Sequence, residues 1–278
     1  MPPRAITPDS VGLCLSTLHP APYYHERDDV ARMVRIAAAA GFPSLVFQRN
    51  WAASIGAQDL RQLLDDEGIF AGALESSMNW CEGPEGAARD AEEMLDTAST
   101  IGAGVLHAAC MAQTIDMARA AEGFAALCER AGAHGLKVSL EFIPLYAVPD
   151  LSSAWQIVQA GGAANGGICL DWMHWQRQPG GPDPDLLRSI PGQHISYVQP
   201  TGTPAEVTTT SEAYLKQCVT QRPLPDDGNF DTATFLDCLA HSGAQPYVAY
   251  QVCNTAMAEA GAEKMAGALR ANAAQIFG

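Results

Sequence analysis

The 278-residue sequence predicts a (β/α)8 barrel, and three observations support this fold class. Short apolar segments alternate with longer, alanine-rich segments of helical periodicity along the chain. The apolar segments are nearly continuous, which is typical of parallel strands buried on both faces. A length of 278 residues is ordinary for one such barrel, so we expect a single domain over residues 1–278.

Eight apolar segments are candidate strands, and helical patterns separate them. The candidate strands are residues 11–16, 44–48, 69–75, 104–109, 136–142, 166–171, 194–199 and 247–252. The helical patterns cover residues 27–40, 56–67, 86–101, 115–134, 151–161, 183–190, 231–243 and 256–276. Asp150 and Asp231 stand where two of these helices begin, and aspartate is a favoured N-cap.

The segment 200–230 is the irregular part of the pattern. We predict a long loop there, and loops of that length in compact domains are usually functional. A short strand at 221–225 would make nine candidates for an eight-stranded barrel, unless that segment is not a regular strand. The alternative fold is a doubly wound open sheet, but no G-x-G-x-x-G motif follows the first strand.

Composition restricts the class of partner. The formal net charge of −15 argues against binding to nucleic acid or to an anionic membrane surface. No apolar segment has the length of a membrane span, and the first ten residues lack the apolar core of a signal peptide. We therefore expect a cytoplasmic protein with reduced, buried cysteines and a small-molecule substrate. A homo-oligomer is left open.

The ends of the candidate strands carry polar residues, and in a barrel these ends converge on one face. The residues at these ends are Glu75, His107, Glu141, Asp171, Gln199 and Gln251. The last four each offer a side-chain oxygen, the ligand type that hard divalent cations prefer. Because a buried carboxylate is costly unless it is paired or bound to a cation, these positions favour a metal site.

Four stretches resemble the xylose-isomerase-like TIM barrels, also called the sugar phosphate isomerase/epimerase family. They are "VSLEFIP", "GICLDWMHWQRQPG", "ISYVQPTG" and "RPLPDDGNFDTATFLDCLAHSG". The resemblance implies a metal-dependent isomerase or lyase, with Glu141, Asp171, Gln199 and Gln251 as metal ligands and His174 beside them. Glutamine at position 199 is similar to the 3-dehydroshikimate dehydratase branch. The likeness covers residues 130–255 well, and the N-terminal part through "RIAAAAGFPSLVF" alone.

Three positions depart from the family pattern. Gln251 replaces a glutamate, Gly202 replaces an aspartate and Val46 replaces a glutamate. The loss of a carboxylate at position 251 predicts that binding of the divalent ion (Mn, Mg, Co or Zn) is weakened or lost. Gln251 also disfavours a mechanism with two opposed bases. One base beside a metal-polarised carbonyl then fits isomerisation or elimination. Of the two, the resemblance of Gln199 to the dehydratase branch favours elimination.

The remaining site residues follow from the same resemblance and from their positions. We expect His174 to act in catalysis, because imidazole titrates near neutrality, and Glu141 to act with it. Arg222 matches a family arginine that meets substrate anions. The other candidates for substrate binding are Arg49, Trp172, Trp175, Arg177 and His107.

Each candidate also has a purely structural interpretation. Glu141 and Asp171 could belong to buried ion pairs, and His174 could orient Asp171. The alternative function is a diverged barrel without metal, acting as a metal-free enzyme or a small-molecule binding protein. A zinc endonuclease of the same barrel type is disfavoured, because it needs more histidine ligands and a basic surface.

Overall fold

The computed structural model describes residues 6–21, 26–227 and 230–278 of the chain. Within them, eight parallel strands form a closed barrel in sequence order, with β1 pairing with both β2 and β8. The strands are β1 (Gly12–Cys14), β2 (Ser44–Gln48), β3 (Phe70–Ser77), β4 (Val105–Ala109), β5 (Lys137–Glu141), β6 (Gly166–Asp171), β7 (Ile195–Gln199) and β8 (Tyr247–Tyr250). The (β/α)8 prediction is confirmed.

Helices follow the strands and cover the barrel. They are α1 (Arg27–Ala39), α2 (Arg49–Ile55), α3 (Ala57–Glu67), α4 (Pro84–Ile101), α5 (Met117–Gly132), α6 (Leu151–Gly161), α7 (Trp172–Arg177), α8 (Pro184–Ser189), α9 (Ser211–Thr220), α10 (Thr232–Ser242), α11 (Thr255–Glu259) and α12 (Ala262–Phe277). The predicted helix 256–276 is divided into α11 and α12 at Gly261. This glycine has a φ of 122°, which a residue with a side chain rarely adopts.

The segment 200–230 corrects the sequence prediction in two ways. It contains helix α9, which was missed because its buried face includes polar residues such as Gln217 and so lacks an apolar period. Residues 221–225 are not a strand of the barrel. Gln221 forms a single antiparallel bridge with Asn254, and this bridge fixes the end of the segment beside the exit of β8.

The barrel separates two apolar clusters. Alternate strand residues pack outward against the helices in one large cluster. The opposite set faces the barrel axis and includes Cys14, Val46, Cys169 and Tyr197. Val46, where the family pattern has a glutamate, therefore belongs to the apolar interior of the barrel.

The two predicted aspartate N-caps are confirmed. The Asp150 carboxylate accepts a hydrogen bond of 2.8 Å from the backbone N–H of Ser153, and Asp231 accepts one of 3.0 Å from Thr234. Each bond satisfies a backbone donor that the first turn of a helix leaves free.

Replacement of Asp150 by alanine is expected to destabilise the chain by about 1 kcal/mol, because the capping hydrogen bond at the start of α6 is lost. Chemical denaturation measures the change in the free energy of unfolding. Ser152→Ala is the control, since Ser152 is exposed on the same turn and its loss should cost less than about 0.5 kcal/mol. Equal losses in both variants would contradict the capping role.

None of the helices in the described residues is long and apolar enough to cross a bilayer. All eight cysteines are free and buried, which agrees with their predicted place in the apolar core.

Candidate active site and metal centre

A cavity of about 380 Å³ opens at the carboxyl ends of the strands. Polar side chains from five different strand ends and loops line it, together with part of α9. Among them are Glu75, His107, Glu141, His174, Arg222 and Gln251. The structure thus brings most of the predicted site residues together around one space, on the face where barrel enzymes carry their chemistry.

Glu141, the last residue of β5, lies at the centre of this group. Its carboxylate is buried between two imidazoles, with Oε2 3.3 Å from His107 Nε2 and Oε1 3.5 Å from His174 Nε2. Burial opposes ionisation, but the positive charges of His107, His174 and Arg222 outweigh it and lower the pKa of Glu141. Oε1 has no hydrogen-bond partner within the described chain. An ionised, buried oxygen is therefore free to meet a ligand.

The two histidines are oriented by the nitrogen that faces away from Glu141. His107 Nδ1 lies 3.0 Å from the hydroxyl of Ser76, and His174 Nδ1 lies 2.8 Å from the hydroxyl of Tyr214. Burial lowers the pKa of His174, whereas in His107 the neighbouring carboxylates outweigh burial and raise the pKa. The two rings flank one carboxylate but differ in basicity.

Asp171 ends β6 and is fully occupied by protein partners. Its Oδ1 accepts a hydrogen bond of 3.0 Å from the backbone N–H of His174, which caps α7. Its Oδ2 accepts a hydrogen bond from Nη1 of Arg222 in an ion pair that is almost completely buried. Asp171 and His174 are adjacent in sequence because the aspartate begins the short helix that carries the histidine.

Arg222 reaches Asp171 from the segment after α9. Its Nε donates to the carbonyl of Cys218 at 2.6 Å, and its backbone N–H donates to the carbonyl of Cys253 at 3.1 Å. The Asp171 carboxylate raises the pKa of Arg222 despite burial, so the guanidinium stays charged. A fixed positive charge therefore lies at the wall of the cavity.

The two glutamines that were predicted as metal ligands differ in their surroundings. Gln199 donates from Nε2 to Glu75 Oε1 at 2.8 Å, and its Oε1 accepts from the thiol of Cys169 at 3.3 Å. Both ends of this amide are engaged within the barrel. Gln251 instead lines the cavity, and no hydrogen-bond partner for its Oε1 is found among the described residues.

The predicted substrate contacts separate into two groups. Arg222, His107 and Arg49 line the cavity, and Arg49 also pairs with Glu93. The remaining three lie elsewhere and do not support the predicted contact. Trp172 stacks on Phe230 at 4.3 Å within the core. Trp175 packs edge-on against Phe235 at 5.9 Å, and Arg177 donates to the carbonyls of Pro204 and Glu206. The two tryptophans are apolar core side chains that pack against α10. Arg177 holds the loop at residues 204–206 through its hydrogen bonds.

The family of the chain follows from comparison with known proteins. The sequence model of the xylose isomerase-like TIM barrel family matches residues 34–272. The chain belongs to this family. No curated protein matches the sequence significantly.

Solved structures share the fold of this xylose isomerase-like barrel at low sequence identity. An IolI protein with a bound zinc atom aligns with a TM-score of 0.75 and 18% identity, over 96% of this chain and 99% of that one. An L-ribulose 3-epimerase aligns with a TM-score of 0.70 and 15% identity, over 95% of this chain and 94% of that one.

A third structure is a fusion of a xylose isomerase-like barrel with a 4-hydroxyphenylpyruvate dioxygenase. It aligns with a TM-score of 0.75 and 22% identity, over 96% of this chain and 41% of the fusion protein. This chain therefore spans less than half of that protein. Identities of this size establish the fold alone.

Two residues of the candidate site in this xylose isomerase-like barrel have no role predicted from the sequence. Glu75 lines the cavity and accepts hydrogen bonds from Gln199 and from the Tyr197 hydroxyl, the latter at 3.2 Å. Burial raises its pKa. The position of Glu75 at a strand end indicates a place in the site from the sequence alone. Tyr214, the hydrogen-bond partner of His174, lies on α9, which the sequence pattern does not predict.

Within the described residues, two groups of side chains are arranged so that they could hold a metal ion. One is Glu141, Asp171 and His174, and the other is His107, Glu141 and Cys169. In each group the ligand atoms lie within 4.8 Å of one another. Glu141 is common to both. The barrel therefore offers a buried ligand set for a metal, and its centre is the carboxylate with the unpartnered oxygen.

Proposed function

We propose that this barrel is an isomerase or lyase that moves a proton next to the carbonyl of a small polyhydroxylated compound. The observation that carries the proposal is Glu141, an ionised carboxylate with one unpartnered oxygen in the cavity, beside the imidazole of His174. A carboxylate and an imidazole in one enclosed cavity are the usual equipment for general acid–base chemistry. The cavity volume of about 380 Å³ is of the size that small ligands occupy.

A divalent cation fits this site as the cofactor. Glu141 Oε1 and Gln251 Oε1 are buried oxygens that lack a partner in the described part of the chain, and buried polar atoms of this kind need a ligand. Glu141 would hold the ion with residues from one of the two ligand groups. When bound, such an ion polarises a carbonyl oxygen and so acidifies the neighbouring C–H bond.

The remaining residues have separate tasks in this proposal. His174 accepts the proton, because burial keeps its pKa low and Tyr214 fixes its ring through Nδ1. Arg222 presents a permanent positive charge that attracts the oxygen-rich or anionic end of the substrate. Gln251 binds hydroxyl groups through its free Oε1 but takes no part in proton transfer. The single base matches isomerisation through an enediol or β-elimination.

Exchange with solvent deuterium tests this proposal without knowledge of the physiological substrate. The purified protein is incubated in D₂O with ketopentoses, ketohexoses and dehydroshikimate-like hydroxyketones, each with Mn²⁺, Co²⁺, Mg²⁺ or Zn²⁺, and spectra are recorded by NMR. We expect deuterium at the carbon next to the carbonyl for one compound class, and loss of the exchange after chelation. Binding of a compound without any exchange or elimination would contradict the proposed reaction class.

A second candidate is favoured by the Asp171–Arg222 ion pair. Because Arg222 already neutralises Asp171, the site has a resident cation, and a metal-free enzyme or a binding protein is consistent with this arrangement. Melting temperatures separate the two candidates. Metal-dependent stabilisation, reversed by a chelator, supports the first candidate, because a ligand that binds the folded state stabilises it. Ligand-induced stabilisation that is indifferent to all four metals supports the second.

A further inference from the structure

We propose that the metal site of this barrel is a zinc site made of His107, Glu141 and Cys169, and not the all-oxygen site that the family pattern implies. This zinc would be the cation of the proposed function. Its role in catalysis rests on the proposed function, but its binding at this site does not. Its ligands come from three consecutive strands, β4, β5 and β6.

The fold places these three side chains together through strand register. Glu141 and Cys169 are direct partners in the β5–β6 ladder, and β4 lies on the other side of β5. One ligand atom from each residue lies within 4.8 Å of the other two. All three residues are buried, with exposures of 2%, 7% and 0% for His107, Glu141 and Cys169. An ion there would be enclosed by the barrel, with His107 and Glu141 at the wall of the cavity and Cys169 in the barrel interior.

The donor atoms of this group are available. His107 Nε2 and Glu141 Oε1 are both buried and without a hydrogen-bond partner in the described residues, and Nε2 faces the other oxygen of Glu141 at 3.3 Å, within the same group. The opposite nitrogen, His107 Nδ1, lies 3.0 Å from Ser76 Oγ. Histidines that bind metals commonly use one ring nitrogen for the ion and hold the ring in place with the other. The Cys169 thiol has one weak partner, the neutral amide oxygen of Gln199 at 3.3 Å.

The competing group, which contains Asp171, is obstructed by the protein itself. Both Asp171 oxygens are already bound, one by the His174 backbone N–H and the other by the guanidinium of Arg222. A metal at Asp171 would have to break a buried ion pair and leave Arg222 unpaired, which is strongly unfavourable. Gln199, the next ligand of the family pattern, is turned towards Glu75. The all-oxygen set therefore retains few free atoms.

The chemistry of the available donors selects the metal. A thiolate, an imidazole and a carboxylate are the ligands of zinc, whereas Mg²⁺ and Mn²⁺ prefer oxygen alone. Three protein ligands leave a fourth position open, as in catalytic zinc sites. Binding replaces the Cys169 S–H bond by an S–Zn bond and releases the thiol proton to solvent.

Cobalt replaces zinc with similar geometry and reports its ligands by colour, which makes Co²⁺ the probe. The metal-free full-length chain is titrated with Co²⁺ and followed by absorption spectroscopy. We expect a thiolate-to-cobalt charge-transfer band in the near ultraviolet, with one equivalent of Co²⁺ bound and displaced by Zn²⁺. The absence of this band in the unaltered protein overturns the proposal, whatever the variants do.

Variants identify the ligands in the same assay. Cys169→Ser and Cys169→Ala should abolish the charge-transfer band, while Cys128→Ser, which alters a buried cysteine on α5, should retain it. The double variant Asp171→Asn with Arg222→Met removes the obstructing ion pair as a unit and should also retain the band. Retention of the band in both Cys169 variants would show that another thiol binds the cobalt and would overturn the proposal. Co²⁺ binding without a thiolate band, lost in the double variant, would assign the metal to the group of Glu141, Asp171 and His174 instead.

The spectroscopic result is independent of catalysis. A thiolate band without deuterium exchange supports the zinc site and contradicts the proposed function. Exchange that depends on Mn²⁺ or Mg²⁺ without a thiolate band supports the function and contradicts the zinc site.

Discussion

Replacement of His174 by glutamine is expected to lower the rate of deuterium exchange by about 100- to 10,000-fold, the usual effect of removing a positioned acid–base group. The ring is 2% exposed, and its Nε2 lies 3.5 Å from the Glu141 carboxylate in the wall of the cavity. Glutamine keeps a polar side chain of similar reach but cannot take up a proton. The loss is measured by NMR as the rate at which deuterium from D₂O enters the substrate at saturating substrate concentration.

His194→Gln is the matched control for this experiment. His194 lies at the opposite end of the barrel, where Nδ1 is 2.8 Å from the carbonyl of Gly166, at the start of β6. The exchange rate of this variant should equal that of the unaltered chain. Tyr214→Phe should give an intermediate loss, because the His174 ring remains but loses the hydroxyl at its Nδ1. Full exchange activity in His174→Gln would show that another group carries the proton.

The fold was predictable because the signals that determine it are local. Continuous apolar segments mark strands that are covered on both faces, and all eight segments that were identified in this way are strands of the barrel. Helix α9 is not predicted from the sequence, because Tyr214, Gln217 and Cys218 form its buried face and this mixture does not produce an apolar period. Its burial comes from the wall of the cavity rather than from the common core, as its cluster with Ile143 and Met173 shows.

The site was predictable as a location but not as a set of contacts. Strand ends converge in any parallel barrel, so Glu141, Asp171 and Gln199 could be placed at one face from their positions alone. Which atom meets which partner depends on residues far away in sequence. Glu75 accepts a hydrogen bond from the amide of Gln199 across 124 positions, and no local pattern in "ISYVQPTG" indicates this.

The same limit explains the two tryptophans beside His174. Their nearness to His174 in the sequence predicts a role in the cavity. However, α7 is a short helix, and its side chains point in different directions. Trp172 and Trp175 lie on the side of α7 that faces α10 and the core. His174 lies on the side that faces Glu141. Sequence adjacency within a helix therefore separates side chains rather than gathering them.

Arg222→Met is expected to destabilise the chain by about 3–5 kcal/mol, because it leaves the buried Asp171 carboxylate without its counter-charge. Denaturant unfolding measures the loss, with Arg49→Met as the control. Arg49 also lines the cavity and also pairs with a carboxylate, but both partners of the Arg49–Glu93 pair are exposed. Its loss should cost less than about 1 kcal/mol, as is usual for surface pairs.

The double variant Asp171→Asn with Arg222→Met determines whether the cost arises from the pair itself. If the penalty of each single variant is an uncompensated buried charge, removal of both charges should be less destabilising than the sum of the two single effects. Additive losses would instead mean that Arg222 stabilises the chain through its other contacts, the carbonyls of Cys218 and Gln251. The ion pair would then be a weak obstacle, and a metal could displace Arg222 from Asp171 at little cost.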